Sequence, residues 1–151
     1  MGFSELIVRT GLSFTDKKAA LQEAAALLEK AGCVDPGYEE SFLKREYITS
    51  TYLDRGIAIP HGTQDDKGMI RKQGVAILQV PQGVNWGPAQ TATVVVAIAA
   101  PRDSHLLLMR NLVKLLQNEA LMLKLKNSAD PEELRSVFLD CIQDSGLVKM
   151  T

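Results

Sequence analysis

Apolar positions change their spacing along the chain, and each spacing predicts an element. A short apolar start at Leu6 to Val8 precedes Leu21, Ala24, Ala25 and Leu28. Their three- and four-residue steps predict an amphipathic helix from about Asp16, with Gly32 placed to stop it. Asp35 followed by Pro36 has the form of an N-cap and first helical residue. That pair predicts a second helix through Tyr38, Phe42 and Arg45, ending near Glu46 with Arg45 in its last turn. Three strand-like segments follow: Ile57 to Ile59, Val75 to Val80 and Ala92 to Ala99. The last is so evenly apolar that it predicts a strand covered on both faces, at the centre of a sheet. Between the second and third, Pro81, Gly83, Asn85 and Gly87 break the pattern and leave Val84 and Trp86 to a short extra strand in a hairpin-like excursion. The carboxyl-terminal third reads as helices over about Ser104 to Leu116, Glu119 to Lys126, and from Asp130 as N-cap with Pro131, Glu132 and Glu133 in the first turn. Leu134, Val137, Phe138, Cys141 and Ile142 form the apolar stripe of the last one. Helices before and after a central sheet predict an α/β sandwich.

Composition narrows this further. The chain has 151 residues, 46% apolar and 23% charged, which suits one domain with a core of its own. No internal repeat divides it, so the expected domain spans residues 1–143, with 144–151 as a carboxyl-terminal tail. Seventeen basic residues against 18 acidic ones leave a net charge of −1, and Lys and Arg are scattered. No field exists to gather nucleic-acid backbones or anionic lipids, so neither is an expected partner. The longest apolar run, Val94 to Ala100, is far below the roughly 18 residues of a membrane span. With no basic segment leading into an apolar signal core, the expected location is the cytoplasm, without membrane insertion. Cys33 and Cys141 are too few for a disulfide framework and lack the paired spacing of a zinc site. They read as inert, although two histidines could complete a tetrahedron with them.

No phosphate-cradling glycine pattern or nucleophile-elbow pattern occurs. The conspicuous segment is Gly56-Ile57-Ala58-Ile59-Pro60-His61-Gly62-Thr63, where an apolar strand ends at a proline and delivers a histidine to the next turn. Pro60 fixes its own φ, and Gly62 removes bulk on the far side, so His61 is expected to stand exposed on a rigid stem. A loop histidine satisfied by neighbouring backbone is the plain alternative. His105 opens a helix, where free amides and positive potential favour an anion such as a phosphoryl group; a capping or buried histidine would look the same. Arg45 is either a solvated helix-end cation or a planar fork for phosphate oxygens. An imidazole nucleophile, a second imidazole and an arginine suffice for phosphoryl transfer between side chains. No Mg²⁺ or other cofactor is called for, because the leaving group is a neutral side chain.

Taken in order, the residues resemble a known family, the EIIA components of the bacterial phosphoenolpyruvate-dependent sugar phosphotransferase system, fructose/mannitol class. The resemblance rests on Arg45-Glu46, Thr49-Ser50-Thr51-Tyr52-Leu53, Gly56 through Thr63, Gln79-Val80-Pro81-Gln82-Gly83-Val84, Trp86-Gly87, Ala97-Ile98-Ala99-Ala100 and His105-Leu106 with Leu112. It spans roughly residues 3 to 140. It implies a single-domain, mixed, mainly five-stranded sheet flanked by helices. By position it implies that His61 is phosphorylated, that His105 is the second active-site histidine, and that Arg45 is the phosphate-side arginine. It further implies that phospho-HPr is the donor, that a cysteine of the cognate EIIB domain is the acceptor, and that Nε2 of His61 is the attacking nitrogen. Nitrogen-related EIIA paralogues, similar in fold and histidine motif, are the alternative: regulators that act by phosphorylation-dependent partner binding. Thr49 to Leu53 and Pro81 to Val84 look more like the sugar branch, while Arg55 departs from what many relatives carry before the glycine.

Overall fold

The computed structural model describes residues 5–100 and 102–145. Elements run β1 (Glu5–Arg9), α1 (Lys17–Lys30), α2 (Glu39–Ile48), β2 (Tyr52–Asp54), β3 (Ile57–Ala58), a 3₁₀ segment (Gln64–Met69), β4 (Gly74–Gly87), β5 (Gln90–Ala99), α3 (Arg102–Leu116), α4 (Glu119–Asn127) and α5 (Pro131–Ser145). The strands form one mixed sheet in the order β1-β4-β5-β3-β2. β1 pairs parallel with β4 and β3 parallel with β5, while β4–β5 and β2–β3 are antiparallel. β5 lies at the centre, as its apolar run predicts.

Alternation along the strands divides the core into two layers. Val75, Ile77, Val94, Val96 and Ile98 turn toward α3, α4 and α5 and pack on Leu112, Leu125, Leu134 and Phe138. Ala76, Leu78, Val95, Ala97 and Ala99 turn the other way, toward Ala20, Leu21, Ala24 and Ala25 of α1 and Phe42 of α2. Alanines meet alanines on this second face, which lets α1 lie close to the sheet. The branched residues of the first face fill the wider gap to three helices.

Local chemistry accounts for most boundaries. Asp16 caps α1 by accepting from the Ala19 N–H at 2.8 Å, and Gly32 leaves the helix with φ +80°. Asp130 caps α5, accepting from the Glu132 N–H at 3.0 Å. The expected start of α2 at Asp35-Pro36 is not observed. Gly37 turns the chain with φ +89°, Tyr38 holds the N-cap position, and Asp35 instead pairs with Arg71 at 2.6 Å. α2 also runs two residues past Glu46, to Ile48.

The excursion expected after Val80 is instead part of β4. Gln79 pairs with Val94 but Val84 pairs with Ala92, so Pro81 to Gly83 bulge out of the ladder where a proline is tolerated. Gly83, at φ +80°, is needed there because a Cβ would stand 2.5 Å from the Thr91 side chain. β2 has three residues and an edge position, too little for any period to register. Among the described residues no helix is long and apolar enough to cross a membrane. Residues 146–151, most of the expected tail, lie outside the described residues, as does the side chain of Cys141. Cys33 is buried, and burial pushes its thiol pKa up.

Gln79 is the buried polar tie between layers. Its amide donates to the Leu125 carbonyl at 2.8 Å and the Ser128 carbonyl at 2.6 Å, and its Oε1 accepts from the Gly11 N–H at 3.1 Å. Gln79→Ala should therefore leave several groups unsatisfied and lower stability by roughly 2–4 kcal/mol in urea denaturation. A midpoint equal to wild type would show that the tie carries no stability.

Candidate functional site

β3 is short, but the chain stays beside β5 after it. Ile59 donates to the Thr51 carbonyl at 3.0 Å, the Pro60 carbonyl accepts from Ile98 at 2.9 Å, and His61 bridges Ile98 in parallel. His61 therefore emerges at the carboxyl ends of two parallel strands, where open α/β sheets commonly present their sites. It lines a pocket of about 370 Å³ with Arg45 and Ile48 of α2, Gly62, Thr63 and Gln64 of the following turn, and Leu106 and Met109 of α3. The pocket thus opens between the two helical layers.

His61 is half-buried, not the fully exposed group its turn predicts. Its Nδ1 lies 2.9 Å from the Ile59 carbonyl. A carbonyl can only accept, so Nδ1 carries the proton and Nε2 the lone pair. Burial lowers the pKa of the ring below its ordinary 6.5, with the nearby Arg45 charge acting in the same direction and the Ile59 hydrogen bond opposing. The ring is therefore kept neutral near pH 7, the state a nucleophile requires.

Arg45 stands in the last turn of α2 and donates through Nη1 to the Thr49 carbonyl at 2.9 Å. The next residue anchors that turn. Glu46 is buried and accepts from the Thr51 N–H at 2.8 Å, from Thr51 Oγ1 at 2.6 Å and from Lys17, whose Nζ is 3.4 Å away. Trp86 Nε1 donates to the same Thr51 hydroxyl at 3.3 Å, tying α2 to β4. Arg45 and His61 thus share one pocket. His105 falls in α3 one residue before Leu106, and its side chain lies outside the described residues.

Gly62 serves a purpose different from the open approach its small size suggests. A Cβ there would stand 2.4 Å from Tyr38 Oη and 2.6 Å from Ser41 Oγ, so glycine lets the turn lie flat against α2. The Thr63 N–H donates to Ser41 Oγ at 2.8 Å. Thr63 Oγ1 donates to Asp66 at 2.8 Å, and Lys44 reaches the same carboxylate at 2.9 Å. The Lys44 ammonium, with the Ser41 and Thr63 hydroxyls adding, holds the Asp66 carboxyl down at about 2. Burial, with the Asp66 charge adding, pushes the Tyr38 phenol up to about 12. Ser41, Lys44 and Asp66 carry no functional motif in the sequence, and Tyr38 reads there only as a helix position. The one available signal was Ser41, a polar residue on the apolar side of a helix one turn before Arg45. Arg55 lies away from this pocket: it donates to the Leu116 carbonyl and pairs with Glu119 at 2.7 Å, joining the end of α3 to α4.

The model of the family described as "Phosphoenolpyruvate-dependent sugar phosphotransferase system, EIIA 2" matches residues 2–141. The chain belongs to this EIIA family. A multiphosphoryl transfer protein of Xanthomonas campestris is 45% identical over 83% of this chain and 15% of its own length. One from Escherichia coli O157:H7 is 42% identical over 87% of this chain and 35% of its own length. The EIIA chain therefore spans about a third or less of these two relatives. The mannitol-specific phosphotransferase enzyme IIA component of Enterococcus faecalis is 31% identical, covering 87% of this chain and 92% of that protein. Among solved structures, the mannitol IIA of Escherichia coli in complex with phosphorylated mannitol IIB superposes with a TM-score of 0.82 at 31% identity, over 88% of this chain and 94% of that one. The crystal structure of the same IIA gives 0.81 at 32% identity, over 87% and 94%. The expected family and the five-stranded mixed sheet are thereby borne out.

Two outcomes follow for this EIIA turn. His61 should titrate by ¹⁵N NMR with a midpoint below 6.5 and show the Nδ1–H tautomer at neutral pH. Because the unfolded chain then takes its proton first, this group's contribution to stability declines as pH falls below about 6.5. A midpoint above 6.5 contradicts the burial argument. Gly62→Ala should lift the turn from α2 and cost roughly 1–3 kcal/mol, read as a lower melting temperature; an unchanged one would deny the close approach.

Proposed function

We propose that this chain is a phosphoryl carrier of the sugar phosphotransferase system, serving uptake and phosphorylation of fructose, mannitol or a related sugar. Nε2 of His61 attacks the phosphorus of phospho-HPr in line, the donor nitrogen–phosphorus bond breaks, and the proton on Nδ1 stays with the Ile59 carbonyl. A thiolate of the cognate EIIB then takes the group and restores neutral His61. His105 donates to a phosphoryl oxygen, and Arg45 offsets its charge from the rim. The whole exchange takes place in the cytoplasm, within a domain spanning residues 1–143.

The observation that carries this reading is the tautomer. The Nδ1–Ile59 contact directs the lone pair to Nε2 of a half-buried, neutral ring in the pocket that also holds Arg45. The pocket also has the apolar rim that docking of a protein donor needs. Ile48 is 72% exposed and Leu106 46%, on opposite walls. The transport branch is supported by the mannitol-specific relatives at 31–32% identity; a nitrogen regulatory IIA of Neisseria meningitidis, at 18%, shares the fold alone.

Labelling from phospho-HPr should give an acid-labile, base-stable adduct on wild type and none on His61→Ala. His105→Ala should slow transfer about 10²-fold, and Arg45→Ala by a smaller, salt-dependent factor. Undiminished label on His61→Ala would refute the assignment. Phosphorylated protein mixed with EIIB domains of the fructose and mannitol class should discharge to at least one of them. Failure with all, alongside tight binding of the unphosphorylated form to a kinase or ion transporter, would favour the regulatory alternative.

A further inference from the structure

The turn after His61 borders the space that a phosphoryl group on Nε2 would enter, since Gly62 and Thr63 line the same pocket. Consecutive amides beside a glycine are the usual material of an anion cradle. Here the donors of Thr63 are turned the other way. The Thr63 N–H goes to Ser41 Oγ at 2.8 Å, and the Thr63 hydroxyl to Asp66 at 2.8 Å. The acceptors are held firmly. Ser41 is 1% exposed on α2, and Lys44 pins Asp66 at 2.9 Å.

We propose that Ser41 and Asp66 set the phosphoryl-transfer potential of His61 by withholding the two donors of Thr63 from the phosphoryl group. This rests on the carrier reading above. Each donor turned toward the phosphoryl oxygens would add a charge-assisted hydrogen bond and stabilise phosphohistidine against both donor and acceptor. A carrier stabilised in that way fills readily and empties slowly, because binding that deepens the intermediate raises the barrier to its exit. Ser41 and Asp66 touch the turn and do not line the pocket, so they are positioning residues.

The test compares wild type with Ser41→Ala and Asp66→Ala in equilibrium phosphoryl exchange with phospho-HPr, followed by discharge to EIIB. Each variant should shift the equilibrium toward phosphohistidine by roughly two- to tenfold, the range for one net hydrogen bond, and slow discharge by a similar factor. A residue that only held His61 in place would change both directions of exchange alike. An unmoved equilibrium in the folded variants, or one shifted toward phospho-HPr, therefore overturns the inference. A second measurement needs no variant. Through-hydrogen-bond coupling between ³¹P and the Thr63 amide should be absent in phosphorylated wild type, and its presence would overturn the inference as well. If wild type takes no phosphoryl group from phospho-HPr, the carrier reading falls and this inference with it. If wild type accepts it and the variants leave the equilibrium unmoved, only this inference falls.

Discussion

The burial of β5 on both faces is the constraint on which the other parts depend. Val94, Val96 and Ile98 face one helical layer, and Val95, Ala97 and Ala99 face the other. A strand so covered must have a hydrogen-bonded neighbour on each side, and β4 and β3 supply them in opposite senses, antiparallel and parallel. The parallel partner carries the histidine. β3 is two residues long, yet the Ile98 N–H donates to the Pro60 carbonyl and His61 pairs with Ile98, which continues its path to the end of β5. His61 is thereby delivered to the seam between the two helical layers.

At that seam the two layers contribute different things. α2 brings Arg45 and Ser41, the acceptor of the Thr63 amide, on one rigid element, so the spacing between the histidine turn and the arginine is set by helical geometry. α3 brings Leu106 and Met109 and closes the far wall. The Glu46–Thr51–Trp86 network then fixes the end of α2 against the sheet. Removing any one of these partners would leave a buried polar group unsatisfied, so the last turn of α2 has little freedom.

Helices α1 and α5, the central strand and the strand-to-histidine turn could be read from the chain because each is a local signal: a period, a cap, or a proline and glycine flanking one residue. Asp16 and Asp130 act as caps where their side chains suggest it. Asp35 has the same appearance and does not, because its side chain is drawn to Arg71, a residue 36 positions away. β2 was invisible, and the far half of β4 was legible only as a short extra strand at Val84 and Trp86: their pairing depends on partners chosen by the sheet and not by their own residues.

The chain's own residues determined the histidine, its rigid stem, and the EIIA family to which its motifs belong. Folding decided the rest of the site's character. Half-burial lowers the His61 pKa, the Ile59 carbonyl selects which nitrogen keeps the lone pair, and the approach of α2 gives the Thr63 amide to Ser41. These depend on distances between segments far apart in sequence. A pattern of residue types can announce the parts, but desolvation and hydrogen-bond direction exist only once those parts are in contact.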